Sequence, residues 1–126
     1  MATQGNQIRE SMIAGADLSA KQWTFVKMNT TDRTVVSAGN GEAAFGVLIN
    51  DPTSGSAATV VTHGRVIVEV GTGGITAGDD IGVDANGEAV TADTVGGDVI
   101  VGKCVQGASA GERAVIDFFR GGNVAA

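Results

Sequence analysis

The chain has 126 residues, and its 14 Asp and Glu against 8 Lys and Arg give a formal net charge of −6. That length points to one domain, and the acidic balance argues against a role that rests on neutralising phosphates. With 43% apolar and 17% charged residues and a single cysteine, Cys104, the composition excludes general disorder, an intrachain disulfide and a spanning apolar run, and no secretory signal pattern opens the chain.

The apolar set is weighted to 17 Val and 8 Ile against 2 Leu, with 18 Ala, 12 Thr and 20 Gly. β-Branched side chains are stiff at χ1 and suit a pleated surface, and frequent glycines supply turns, so the expected fold is all-β, a small barrel or sandwich. With four Phe and one Trp as its only large aromatics, the core is lean, and oligomerisation or docking on a partner would supplement it.

Residues 1–22 have no clean period of two, and the charges of Arg9, Glu10, Asp17 and Lys21 cancel. This segment reads as an extended N-terminal arm, reaching roughly 70 Å at about 3.3 Å per residue, with an N-terminal strand as the alternative. The β body is expected over residues 23–120. Its first strand is Trp23–Asn29, with Trp23 and Phe25 alternating against Thr24, Val26 and Met28. Thr34–Ser37 and Phe45–Ile49 follow. Ala58–Thr62 and Arg65–Val70 flank His63-Gly64, which reads as a tight connection or bulge. Asp80–Asp84 and Glu88–Thr91 flank Asn86-Gly87, the signal of a type I′ hairpin. Val99–Gln106 and Arg113–Phe119 complete the strands, and 121–126 is expected as a loose tail. The segments 75–83 and 108–116 echo each other, with Gly78 and Gly111 aligned and an acid after each; the echo reads as one turn chemistry used twice.

Chemistry-bearing constellations are few. Gly97 to Lys103 matches part of a phosphate loop, but Cys104 stands where Ser or Thr is required, and Val-Ile-Val favours a strand with Lys103 in solvent. Six acids lie within 79–98 without a Lys or Arg; calcium-loop spacing is absent, so a solvated acidic hairpin is expected and no metal or cofactor. His63 has no metal-ligand companion, no nucleophile elbow is present, and Cys104 reads as a small buried hydrophobe, so no enzyme activity is expected. Aromatic poverty weighs against carbohydrate and single-strand nucleic-acid binding. Phe118 and Phe119 are adjacent and must face opposite ways on a strand, one into the core and the other into a second layer or toward a neighbouring subunit.

The phrases FGVLIND (45–51), THGRVIVEV (62–70), ITAGDDIGVDANGEAV (75–90) and VGKCVQGASAGERAVIDF (101–118) occur in this order after a polar N-terminal segment. Over roughly residues 15–120 the chain resembles the small capsid decoration (cement) proteins of tailed bacteriophages. The resemblance implies a compact barrel or tulip-like body, usually trimeric, on the outer surface of the expanded head. There it would bind the major capsid protein and stabilise the shell against packaged DNA, after assembly in the host cytoplasm. On this reading the arm adds a strand to capsid protein through Ile8, Ile13 and Leu18, and Phe118 or Phe119 lies at the homotrimer contact. No contact with nucleic acid or membrane is implied. The alternatives are another virion part, a head fibre base or tail component, and a small-ligand or calcium-binding β module.

Overall fold

The β-branched residues fall into strands throughout the described chain, and no helix forms among the described residues. A computed structural model describes residues 7–93 and 97–119. Its strands are β1 (Ile8–Ala14), β2 (Phe25–Met28), β3 (Thr34–Ser37), β4 (Gly46–Leu48), β5 (Ala57–Glu69), β6 (Asp80–Val83), β7 (Ala89–Thr91), β8 (Gly102–Gln106) and β9 (Arg113–Phe118).

The strand order β1-β3-β2-β4-β5 closes on itself, because β1 also pairs with β5. This five-strand barrel holds Met12, Ala14, Val26, Leu48 and Val60 in its interior, with Leu18 among them and Phe45 packed against the cluster. The order continues from β5 through β9, β8 and β6 to β7. This second sheet curls back, and Val70, just past β5, bridges Ala89 of β7 in parallel. A second core fills the space between it and the outside of the barrel. Phe25, Val47 and Val61 enter it from the barrel; Val66, Val68, Ile81, Ile116 and Phe118 enter it from the second sheet. The rings of Phe25 and Phe118 meet with centroids 6.1 Å apart, a separation typical of aromatic pairs.

Two cores explain why strict alternation is lost where the sheets meet. Val60 faces the barrel interior and Val61 the second core, so β5 is apolar on both faces there. Beyond Gly64 the strand has one wet face: Arg65 and Ile67 are exposed while Val66 and Val68 are buried. The inward parity changes at the bend, where the β1–β5 register shifts between Ile8 and Arg9 and Gly64 takes φ 105°. His63-Gly64 is therefore a bulged bend inside one thirteen-residue strand, which lets a single strand serve two sheets.

Over residues 8–14 the N-terminal segment is the alternative, a strand, and not a free arm. Residues 1–6 and the expected tail, 121–126, lie outside the described residues. Residues 8–14 are a barrel stave, antiparallel to β5 from Ile8–His63 to Ile13–Ala57 and parallel to β3 at Ile13–Thr34 and Ala14–Val35. Leu18 is 2% exposed, and its N–H donates to the Pro52 carbonyl at 2.9 Å. The physical reason is closure. Without β1, the edges of β3 and β5 would stand unpaired beside an open apolar lumen.

One turn recurs three times, at Gly39-Asn-Gly-Glu42, Thr76-Ala-Gly-Asp79 and Ser109-Ala-Gly-Glu112. In each, the N–H of the first residue donates to the carboxylate of the fourth, at 2.6, 2.9 and 3.2 Å. The fourth N–H donates back to the first carbonyl at 3.1, 3.0 and 3.0 Å. The third residue sits at φ 71°, 94° and 84°, the left-handed region that only glycine enters freely. The echo is thus a real geometric repeat, and two copies lie side by side: Ile75 and Ala108 exchange backbone hydrogen bonds of 3.0 and 3.1 Å. Asp79 also accepts from Thr91 Oγ1 at 3.2 Å. Asp79→Ala is expected to cost about 1 kcal/mol, measured as a lower denaturation midpoint at unchanged m-value. An unchanged midpoint would show that the carboxylate does not hold the turn.

The β6–β7 hairpin forms where Asn86-Gly87 places it, but its turn differs from expectation. Gly87 has φ 79° but Asn86 does not enter the positive region, so the turn is not type I′. Asp84 takes over: its Oδ1 accepts from the N–H groups of Asn86 and Glu88, both at 2.8 Å, and its carbonyl accepts from Gly87 N–H at 3.1 Å. The Asn-Gly pair therefore occupies the last half of a longer turn, with glycine at its left-handed position.

Candidate functional surface

Many of the described titratable side chains hold turns or pair across strands. No group of three or more His, Cys, Asp or Glu is placed to hold a metal among the described residues. Of the acids in 79–98, Asp79 and Asp84 hold turns as described, Asp80 pairs with Lys103 at 2.8 Å, and the 8%-exposed Asp98 accepts from Asp93 N–H at 3.0 Å. Lys103 projects into solvent from β8, as expected for a strand and not for a phosphate loop. Cys104 is buried; burial first, and the charge of Asp79 second, push its thiol pKa up, which keeps the thiolate scarce. His63 is exposed at the bend, opposite Ile8.

The five candidate contact residues separate. Leu18 is inside the barrel. Ile8 is 54% and Ile13 44% exposed, but they stand at opposite ends of β1 and form no common patch. Phe118 and Phe119 do face opposite ways. Phe118 is buried against Phe25, while Phe119 is 36% exposed and only its ring is free for a neighbour. Phe118 pairs with Gly64 and Ile8 with His63, so Ile8 and Phe119 flank the bend of β5.

From that bend the outer face of β5, β9 and β8 continues as an uncovered sheet surface. Arg65 bonds Asp117 at 3.0 Å, beside the Lys103–Asp80 pair. Next comes an apolar row, Ile67 opposite Val115, with Val105 at the bulge of β8. The Arg113–Glu69 pair at 3.3 Å closes the far side. An apolar row between polar rims is the usual anatomy of a contact surface. Ile67, Val105 and Val115 escape the sequence reading because Val66, Ile67 and Val68 are all β-branched. The signal that finds them is the pair of charges at Arg65 and Glu69, which marks the odd-numbered face of β5 as wet.

A cleft of about 280 Å³ lies at the opposite seam, where residues 19–24 meet the β6–β7 hairpin; Lys21, Glu69, Asn86, Glu88 and Arg113 line it. Trp23 precedes β2 here at φ 73°, an outlier for a bulky residue. Its N–H donates to Leu48 O at 2.7 Å and its carbonyl accepts from Glu69 N–H at 2.8 Å. These long-range bonds hold the strained backbone. The Arg113 guanidinium lies 5.7 Å from the Trp23 ring centroid, within cation–π range.

No protein-family model matches the chain, and no curated protein matches it in sequence. Among solved structures, the chain is similar to the N-terminal base of the head fibre protein gp8.5 of bacteriophage phi29, at a TM-score of 0.72 and 16% identity. The similarity covers 93% of this chain and 98% of that chain. At this identity the shared property is the fold.

Proposed function

We propose that this chain is a structural protein of a phage virion, mounted on the head as a base-like module. The observation that carries the reading is the near-complete overlap with the phi29 head fibre base, 93% and 98% of the two chains. At that coverage the overlap takes in both the barrel and the second sheet, not a single motif. The order of the sequence phrases that resemble phage head decoration proteins points to the same compartment. The work of such a module is non-enzymatic: it presents a rigid surface to a neighbour, and the uncovered face of β5, β9 and β8 with Ile67, Val115 and Phe119 suits that work. Its partner on this reading is the major capsid protein, and its place is the outer surface of the capsid.

The decoration reading, a homotrimer that cements the shell, is the finer alternative. It is favoured by the resemblance and by the exposed ring of Phe119. Cryo-electron microscopy of purified particles separates the two. Density at isolated fibre positions supports the base. Density at every three-fold position supports the cement. Absence from particles overturns both.

A double variant, Ile67→Thr with Phe119→Ser, tests the surface. Both positions are only partly exposed, so the isolated chain should stay folded with a loss of about 1–2 kcal/mol. Retention on particles should fall about tenfold or more, as for loss of a hot-spot ring. Unchanged retention would remove this face from the docking account.

A further inference from the structure

We propose that the outer edge of β1 receives an extended acidic segment of a partner protein, which adds to the barrel as a short strand. Main-chain groups alternate between the two sides of a strand. In β1 those of the even-numbered residues turn to β5, where Ala14 N–H donates to the Ser56 carbonyl at 2.9 Å, and those of the odd-numbered residues turn the other way. On that other side Ile13 N–H donates to the Arg33 carbonyl at 2.8 Å, and the pairing with β3 covers only Ile13 and Ala14. Arg33, the residue before β3, takes φ 58°, in the left-handed region, so the chain bends there and the ladder ends. The N–H and carbonyl of Arg9 and the N–H of Ser11 are left pointing outward, with no main-chain partner among the described residues. The Ser11 carbonyl has a substitute: Arg33 Nη2 donates to it at 3.1 Å, in the place of the next ladder amide.

An open edge of this kind pairs with another main chain, and the side chains beside it select which one. Arg9 and Arg33 make that selection acidic. Lys27, Arg65, Lys103 and Arg113 each hold a carboxylate. Arg9 instead donates to the Gln7 amide oxygen at 2.9 Å and Arg33 to the Ser11 carbonyl, and neither pairs with a carboxylate among the described residues. Both are exposed. Strand parity puts Arg9 on the outward face with Ser11 and Ile13, and Glu10 on the side of Met12 and Ala14. In a chain of net charge −6 this is a basic spot beside unpaired main-chain groups. A strand antiparallel to β1 would exchange bonds with Arg9 and Ser11, and a carboxylate opposite Arg9 would lie on the same face and meet its guanidinium. Arg33 is the placeholder: displaced from the Ser11 carbonyl, it takes a second carboxylate two residues along. A nucleic acid brings the charge but not the alternating donors and acceptors. A second copy of β1 fits poorly, because matching Arg9 with Ser11 sets Glu10 against Glu10. This inference does not depend on the virion reading, and it concerns a surface other than the face of β5, β9 and β8.

A peptide of alternating Glu and Thr, added to the full chain at millimolar concentration, tests it. Amide resonances and hydrogen exchange are the readout. The N–H groups of Arg9 and Ser11 should shift and gain protection. The same peptide with Lys in place of Glu should not bind. Nor should one N-methylated at its Glu residues, whose N–H groups point at β1 when their side chains lie beside Arg9. The double variant Arg9→Gln with Arg33→Gln changes two exposed side chains, and its spectrum away from β1 reports that it is folded. It should bind the Glu peptide about five- to tenfold more weakly, the effect of losing two exposed ion pairs. The proposal is overturned if Arg9 and Ser11 do not respond, or if the Lys peptide or the N-methylated peptide binds as well. Undiminished binding by the double variant, or equal binding of oligothymidylate at the same amides, overturns it too.

Discussion

Phe25→Ala is expected to destabilise the protein by about 3–5 kcal/mol, the cost of emptying a fully enclosed aromatic site. Phe25 has zero exposure and sits on the outside of the barrel wall, where its ring meets Phe118 of the second sheet. Its neighbours in that core are mostly Val and Ala. Short, stiff side chains cannot swing into the vacated space, so little of the cavity will collapse. The loss is a large share of the stability of an ordinary domain. Equilibrium denaturation of the variant should show it directly. Phe118→Ala should cost a similar amount, and the double variant less than the sum, because the two rings share one contact. Strict additivity would show that the rings stabilise their own sheets and not the junction.

Gly46→Ala is expected to cost about 3 kcal/mol or more, although it adds one methyl group. A Cβ at position 46 would stand 2.3 Å from Val60 Cγ1 and 2.5 Å from the carbonyl oxygen of Val61. The valine methyl can rotate away; the carbonyl belongs to the β4–β5 ladder, in which Val47 faces Val61. Relief then requires β4 to separate from β5, and with it the barrel opens. Soluble yield and thermal midpoint of the variant measure the effect. A near-native midpoint would mean that β4 is not pressed against β5 at this point.

Much of the strand plan is legible from local chemistry. Thr34–Ser37 and Arg113–Phe118 are strands because β-branched runs end at glycine-bearing turns, and the three carboxylate turns repeat one four-residue signature. The opposite facing of Phe118 and Phe119 follows from the strand period alone. What local reading misses is what closure decides. Met12 and Ala14 are a thin inward pattern, insufficient to announce β1 as a stave, because its partners lie far along the chain in β3 and β5. Leu18 resembles an isolated anchor in an irregular segment until the barrel interior exists to receive it. The apolar runs 45–49 and 58–62 do not show which face is inside, since both are. The β6–β7 hairpin is legible from Asn86-Gly87; its turn type escapes because the deciding group is the side chain of Asp84, two residues upstream of Asn86. The candidate surface is half legible: Phe119 follows from the strand period, and Ile67 from the charges at Arg65 and Glu69, whereas Ile8 and Ile13 become distinct ends of one strand only in three dimensions.

The shared strand β5 has a mechanical consequence. Its thirteen residues run unbroken from the barrel into the second sheet, so a pull that grips the barrel and loads the second sheet travels along covalent bonds in between. Separating barrel and sheet means dragging β5 lengthwise through its ladders with β1 and β9, which engages many hydrogen bonds at once instead of opening them in sequence. The Phe25–Phe118 contact lies beside this rod and resists its rotation. In a fold built this way a load passes from barrel to sheet along one strand, which bends once, beside Gly64.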